Sequence, residues 1–365
     1  MITFFAGLCN GLKKAIIATM STILGIETSC DETAVAIVGS GRQIYAQMLR
    51  TQLADHAPWG GVVPELAARA HLNVLDHMVA QILKAANMSW HNIDAIAATA
   101  GPGLIGGVMV GLMTAKALAQ STGKPLLAIN HLEGHALTAT LTNPEVTYPF
   151  LLLLASGGHT QFILVHKLGH YELLGQTLDD AVGEAFDKVA KIMGLPYPGG
   201  PALEQLAASV PPMPPKFKLP QPMQGRAGCD VSLSGLKTAV RQIVLNDDWQ
   251  ACDAPILAQQ FHTIIGRMLV EKLHTAAADH RVKNLGVKQL VFAGGVAANQ
   301  FLRGQVQNFC TQQQWAYAAP PIKLCTDNAV MIAWAGVLRF DAGQRDSLDV
   351  AAKPRWPLSE LEKIT

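Results

Sequence analysis

Two histidines stand four residues apart in His131-Leu132-Glu133-Gly134-His135. On a helix that spacing puts both imidazoles on one face, one turn apart, as chelation of a metal requires. Glu133 comes two residues after the first histidine and points roughly 200° around such a helix, away from that face. A zinc peptidase of the H-E-x-x-H kind needs its glutamate directly after the first histidine, so the spacing argues against that chemistry. An isolated pair of this kind is as often a surface coincidence, and a third ligand has to decide. The candidate is Asp327, in Cys325-Thr326-Asp327-Asn328 just ahead of a helical run; its plainer reading is a helix N-cap. Two imidazoles and a carboxylate with open positions suit Fe(II) or Zn(II) acting on a substrate oxygen, and ligand type alone does not choose between them.

Two glycine loops come next, Ser156-Gly157-Gly158-His159-Thr160 and Ala293-Gly294-Gly295-Val296-Ala297-Ala298-Asn299. Singly each reads as a tight turn. Together, one in each half of the chain, they suggest a phosphate on one side and a nucleoside on the other. Neither has the GxxxxGK[ST] pattern, which excludes a P-loop. Asp31 and Glu32, in the polar turn Thr28 to Glu32, are either turn-forming acids or groups that bind a metal or polarise a reactant. The segment Asp179 to Lys188 packs four acids and a lysine into one helix start. Its Asp180, Glu184 and Asp187 share a face that is either a solvated surface or the wall of a cleft holding ribose hydroxyls.

These residues need elements to position them. Ile23 to Glu27, Ala34 to Val38, Asp94 to Ala100 and Leu126 to Ile129 read as strands. Pro64 to Ala86, Gly106 to Ala119 and His131 to Leu141 read as helices, with Pro64 where a first turn tolerates it. The pattern then begins again. Strands are expected at Phe150 to Ala155, Gln161 to Val165, Tyr171 to Leu174 and Gln289 to Phe292. Helices are expected at Asp180 to Met193, Gly235 to Val244, Pro255 to Asp279, Ala297 to Phe309 and Asn328 to Phe340. The stretch 210–228 is rich in proline and lysine and reads as a surface excursion. Two rounds of strand, turn, strand and helix predict a duplicated α/β unit, with the cleft between the lobes as the place for a nucleotide.

Composition bounds the function classes. A chain of 365 residues, 50% hydrophobic and 15% charged, is globular and large enough for two lobes. The net charge of +1 draws no polyanion to the molecule as a whole, so a nucleic-acid substrate would need a local patch or a partner. The six cysteines show no CxxC pair and suit a reducing cytosol. No apolar run reaches membrane-span length. Residues 1–20 carry Lys13 and Lys14 without an acid or a clear cleavage site, and Met20 is read as the working start.

The motifs together resemble one family, the TsaD tRNA N6-adenosine threonylcarbamoyltransferases, formerly called glycoproteases. The stretches that carry the resemblance are Leu24 to Thr33, Gly60 to Glu65, Thr99 to Leu104, His131 to His135, Ser156 to Thr160, Gly183 to Lys188, Tyr197 to Pro201, Ser234 to Lys237, Ala293 to Val296 and Cys325 to Asn328. The resemblance implies an α/β, actin-like ATPase (ASKHA) fold of two ribonuclease-H-like lobes around a central cleft. The lobes would be 21–149 with 328–345, and 150–327, leaving 1–20 as an extension and 346–365 as a tail. It implies a divalent metal, iron(II) ahead of zinc(II), on His131, His135 and Asp327. Adenylate-binding positions fall on Leu154, Ala155, Ser156, Gly157, Gly158, Asp187, Gly200 and Asn299. The implied reaction moves a threonylcarbamoyl group from threonylcarbamoyl-AMP to N6 of the adenosine 3′ of the anticodon in tRNAs reading ANN codons. The implied partners are tRNA, the shorter paralogue TsaB and the small ATPase TsaE, in the cytoplasm. Two positions depart from the family pattern: Asn130 stands where a histidine is usual, and Val182 where alanine is usual.

The chemistry is consistent with these residues. A mixed carbamic–phosphoric anhydride gains from a cation on its oxygens. The conjugated adenine amine is a poor nucleophile, so positioning supplies much of the acceleration. Asp31 or Glu32 is the expected base. The rival readings are a metallopeptidase, for which Glu133 is misplaced, and a small-molecule kinase or ATPase of the same fold, which would position Mg²⁺ through carboxylates.

Overall fold

The protein is described by a computed structural model covering residues 20–361 except Gly60, so the expectations for residues 1–19 lie outside the described residues. The first lobe contains β1 (Thr22–Glu27), β2 (Glu32–Gly39), β3 (Ile44–Thr51), α1 (Leu53–His56), α2 (Pro64–Leu72), α3 (Leu75–Ala85), β4 (Ala95–Gly101), α4 (Ile105–Thr122), β5 (Leu126–Asn130) and α5 (His131–Thr142). The second contains β6 (Phe150–Ala155), β7 (Thr160–Lys167), β8 (His170–Gln176), α6 (Val182–Ile192), α7 (Gly199–Ala208), α8 (Ser234–Val244), α9 (Ala254–Ala278), α10 (His280–Asn284), β9 (Gln289–Ala293), α11 (Gln300–Gln313) and β10 (Ala316–Ala318); α12 (Ala329–Asp341) follows β10 in the chain and packs on the first sheet.

The first sheet runs β3-β2-β1-β4-β5 and the second β8-β7-β6-β9-β10, the same order twice. In each, the first three strands are antiparallel and the last two run parallel to the central one. The duplicated α/β unit expected from the sequence is present. Strands β1, β4, β5 and β6 are buried along their whole length, which is why they read as continuous apolar runs.

Two helices cross between the lobes. Helix α5 follows the first sheet, yet its Leu132, Ala136 and Ala139 pack with Phe150, Leu152 and Leu154 of the second. Helix α12 follows the second sheet and packs Val330, Ala333 and Val337 with Ile23, Ala36 and Ala97 of the first. Both are buried on nearly every side, the polar side chains of α5 included.

Three sequence readings need correction. The helix expected over Pro64 to Ala86 is two, broken at Asn73 and Val74, whose N–H groups turn back to Arg69 and His71. The break lets α2 lie on α4 while His71 aims its Nε2 at the Cys30 carbonyl, 3.0 Å away. The helix expected from Ala297 begins at Gln300, after a 3₁₀ turn. Strand β3 and helix α7 carried no recognised signal: β3 is a largely exposed edge strand without clean alternation, and α7 starts in Gly199-Gly200-Pro201, which reads as a turn.

Candidate active site

Asn130 ends β5 and caps α5, its Oδ1 accepting from the backbone N–H of Leu132 at 2.9 Å. The helix therefore starts at His131, and one turn later comes His135. Both imidazole Nε2 atoms converge on Asp327 Oδ1, at 3.4 Å from His131 and 3.1 Å from His135. One ligand atom from each of the three lies within 4.8 Å of the others. Asp327 is not the cap of α12: Asn328 does that work, accepting from Met331 N–H at 3.0 Å. The aspartate is thereby free to face the histidines.

Behind His131 is a second layer. Its Nδ1 lies 3.0 Å from Glu27 Oε2 and 3.0 Å from Ser29 Oγ. Glu27, at the end of β1, is fully buried and also accepts from Thr99 Oγ1 at 2.6 Å and Ser29 N–H at 2.5 Å. An Nδ1–H held by a carboxylate leaves Nε2 as the lone-pair nitrogen, the arrangement that metal-ligating histidines use. Burial opposes charge on His131, but Asp327 and Glu27 outweigh it and hold its pKa well above 6.5. Burial likewise opposes ionisation of Asp327, and the two histidines still hold its carboxyl well below the usual range. The donor set of two nitrogens and one oxygen fits a divalent cation. The sequence reading missed Glu27, although an acid ending an apolar strand is a signal that a partner is needed.

Glu133 points the other way, as its position on the helix predicts. Its carboxylate takes Arg339 Nε and Nη2 from α12, the latter at 2.9 Å, and Tyr171 Oη at 2.7 Å from β8. It is a structural anion tying α5, α12 and β8, with no access to His131.

His131 and Asp327 open onto a cavity of about 690 Å³ that Ser156, Gly157, Gly158 and His159 also line, with His135 buried behind them. The β6–β7 turn is closed by Ser156 N–H to the His159 carbonyl, 2.7 Å. Gly294 has φ +89° and sits so close to β6 that a Cβ there would meet the Ala155 carbonyl oxygen at 2.3 Å, so both glycine loops reach the same strand end. Leu154 and Ala155 are fully buried in β6 and offer the cleft only backbone. Burial, followed by the charges of His131 and His135, lowers His159 to about 4 and keeps it neutral.

The remaining candidates do not line this cavity. Asp180 is taken by Lys188 and Lys237, each at 2.6 Å, and Glu184 by Lys188 at 2.8 Å. Asp187 alone of that acidic face is left for the cleft, and its Oδ1 accepts from Gly199 N–H at 2.8 Å at the start of α7. Gly200 faces open space. Asn299 caps α11 through Leu302 N–H at 2.9 Å, with Nδ2 3.3 Å from His262 Nε2. Burial raises the Asp187 carboxyl above its ordinary value, and the charge of the buried Asp31 adds to the rise. Burial, then Asp327 and Asp31, push Glu32 up to about 9.

The sequence reading set residues 346–365 aside as a tail, yet Pro354, Arg355, Trp356, Pro357, Leu358 and Ser359 line the cavity. Lys353 N–H bonds the Ala100 carbonyl at 2.7 Å, and Gly101, at φ +141°, has no room for a side chain because the Lys353 carbonyl occupies that space. Asn130 Nδ2 donates to the Trp356 carbonyl at 2.8 Å. Asn130 therefore holds both the start of α5 and the tail.

Residues 43–334 match the family described as tRNA N6-adenosine threonylcarbamoyltransferase, TsaD. The chain belongs to the TsaD family. It is 51% identical over 350 residues to the tRNA N6-adenosine threonylcarbamoyltransferase of Brucella canis, covering 93% of this chain and 95% of that one. The Brucella anthropi protein of the same name is 52% identical over the same span. Among solved structures, T. kodakarensis HypF superposes with a TM-score of 0.58 at 14% identity, over 88% of this chain and 48% of that one, a likeness of fold alone. The TsaD architecture here is the actin-like ATPase fold. The reaction is that of the family: a threonylcarbamoyl group is transferred to N6 of adenosine in tRNA.

Proposed function

We propose that the acyl donor is threonylcarbamoyl-adenylate and that transfer takes place at the His131–His135–Asp327 end of the cleft. The observation that carries this reading is that His131 and Asp327, two of the three clustered ligand residues, line one cavity with the Ser156-Gly157-Gly158 turn. A phosphate held by the turn's backbone would set the carbamoyl carbon beside the ligand residues. His131, His135 and Asp327 would hold one divalent metal, iron(II) before zinc(II), whose charge would steady the oxygens of the mixed anhydride.

The chain's own groups do the rest. Asp187 accepts from the ribose hydroxyls, and its bond to Gly199 fixes its direction. Gly200 leaves room for the nucleoside. Asn299 keeps α11 in register beside it. The N6 amine attacks the carbamoyl carbon and AMP leaves. Asp31 or Glu32 takes the N6 proton; burial, then Asp327 and Asp31, push Glu32 up to about 9 where no metal is bound. The acceptor is the adenosine 3′ of the anticodon in tRNAs that read ANN codons.

The partners proposed are the shorter paralogue TsaB and the ATPase TsaE. Leu66 and Leu72 of α2 and Ile105, Met109 and Met113 of α4 form an exposed apolar face on packed helices, which supports a protein partner on the first lobe. The five cysteines among the described residues are free, and with a tRNA substrate this supports the cytoplasm. No helix among the described residues is long and apolar enough to cross a membrane. The test is reconstitution with the partners, threonine, bicarbonate, ATP and tRNA. Labelled threonine should appear on tRNA, and a preparation that consumes threonylcarbamoyl-adenylate without labelling tRNA would overturn the reading.

A further inference from the structure

In the turn that carries both candidate acids, the carbonyls of Ser29, Cys30 and Asp31 are each held. Backbone N–H groups take two of them, Leu104 on Ser29 at 2.8 Å and Gln52 on Asp31 at 3.2 Å. The Cys30 carbonyl, directly before Asp31, is held by a side chain: His71 Nε2, from α2, lies 3.0 Å away. His71, His56 and Thr33 are fully buried and Gln52 nearly so, and their polar atoms form a chain of bonds with one direction. Gln52 Nε2 lies 3.4 Å from the Ala67 carbonyl, which can only accept, so the amide oxygen is the atom 3.2 Å from His56 Nε2. His56 Nδ1 accepts from Val63 N–H at 3.3 Å, which leaves the ring hydrogen on Nε2 for Gln52. The same Gln52 nitrogen is 3.2 Å from His71 Nδ1, and Thr33 Oγ1 is 2.8 Å from it. His71 Nδ1 is therefore an acceptor, and Nε2 carries the hydrogen that reaches Cys30. Burial outweighs that bond and lowers the pKa of His71, which keeps the ring in the neutral form the chain of bonds requires. The chain begins at Val63, inside the stretch Gly60 to Glu65, whose described residues do not line the catalytic cavity.

We propose that His71, its tautomer locked by Gln52 and His56, is a positioning residue: its Nε2–H fixes the Cys30 carbonyl and with it the direction of Asp31 and Glu32 during transfer. The inference rests on one of these acids taking the N6 proton. A histidine that only filled space between α2 and the turn would need no defined tautomer. Here both ring nitrogens are committed, one as acceptor and one as donor, and the donor is spent on the peptide that joins Cys30 to Asp31. A proton acceptor misdirected by a fraction of an ångström loses rate and not substrate affinity, because the substrates are held by other groups.

The test uses the assembled complex. His71→Asn keeps an acceptor for Thr33 and Gln52 but falls short of the Cys30 carbonyl, whereas the longer His71→Gln offers that carbonyl an amide N–H. Transfer of labelled threonine gives kcat and the KM for tRNA; calorimetry gives donor affinity, and metal content is measured alongside. His71→Asn is expected to lose about tenfold in kcat, with KM, donor affinity and metal content unchanged, and His71→Gln should recover most of the loss. In a protein carrying Asp31→Asn and Glu32→Gln, adding His71→Asn should cost nothing further, since the groups it positions are gone. Should His71→Asn not fold, Gln52→Leu leaves the ring but frees its tautomer, and a smaller loss of kcat with the same pattern is expected. Parental kcat in the folded variant, a loss confined to donor affinity or KM, or a full further loss in the protein without the two acids would each overturn the proposal. If that protein transfers at the parental rate, the base assignment and the role of His71 fall together; if it loses transfer while His71→Asn does not, the role of His71 falls alone.

Discussion

At the scale of single residues, the site separates three kinds of charged group that look alike in the sequence. His131, His135 and Asp327 converge, and among the described residues Asp327 pairs with these two histidines and with no lysine or arginine. Alanine at either histidine should therefore abolish metal retention and transfer in a folded protein; a full complement of metal in both purified variants would disprove the triad. Asp187 lies apart from them, so Asp187→Asn should weaken donor binding about ten- to hundredfold through loss of a charge-assisted bond while sparing the metal. Calorimetry with the donor, alongside metal analysis, checks it. Glu133 is the third kind, buried against Arg339. Removing one member of such a pair strands the other, so Glu133→Ala should cost about 3–5 kcal/mol in denaturant unfolding. A glutamate serving as a peptidase base would be lost with no change in stability.

At the scale of elements, the acidic start of α6 is a clamp. Asp179 accepts from Ser232 Oγ, Leu233 N–H and Ser234 Oγ, and Asp180 from Lys188 and Lys237, so two adjacent acids fix the start of α8 to α6. Burial raises the pKa of Asp180, but the bonds from Lys188 and Lys237 outweigh it and leave the group below its ordinary 3.8. A depressed native pKa means that this contribution to stability is full above 3.8 and is lost as pH falls through the lower native value. Asp180→Asn should thus be less stable than the parent at neutral pH, and the two melting curves should approach each other in strong acid. A gap that stayed constant with pH would show that the lysines are not what the aspartate holds.

At the scale of the whole molecule, the crossing of α5 and α12 makes the lobes one cooperative body. The ligand residues belong to both crossings, two on α5 and one directly ahead of α12. A metal bound there should staple the lobes, stabilising the fold by about 2.7 kcal/mol at a hundredfold excess over its Kd. Thermal scans with and without a chelator should show one transition that shifts as a unit; two transitions, or one that ignores the chelator, would contradict this. Deleting residues 1–19 should leave transfer activity unchanged in the reconstituted assay, since no motif lies there.

The sequence alone determined the parts whose signal is local. Periodicity gave the duplicated α/β order, and the four-residue spacing of His131 and His135, with Glu133 off their face, gave the chelating pair. The ordered motifs gave the family. What tertiary structure decided is whatever depends on which distant groups meet. Asp327 could have been a plain helix cap until Asn328 took that place. Asp180 and Asp187 share a helix face, yet one is neutralised by lysines and the other meets the backbone of α7. Glu27 was hidden inside an apolar strand, and the tail carried no periodicity at all. A hydrogen bond or an ion pair forms between side chains brought within about 3 Å, and for residues separated by 200 positions that distance is set by the packing of the lobes, which no local pattern encodes.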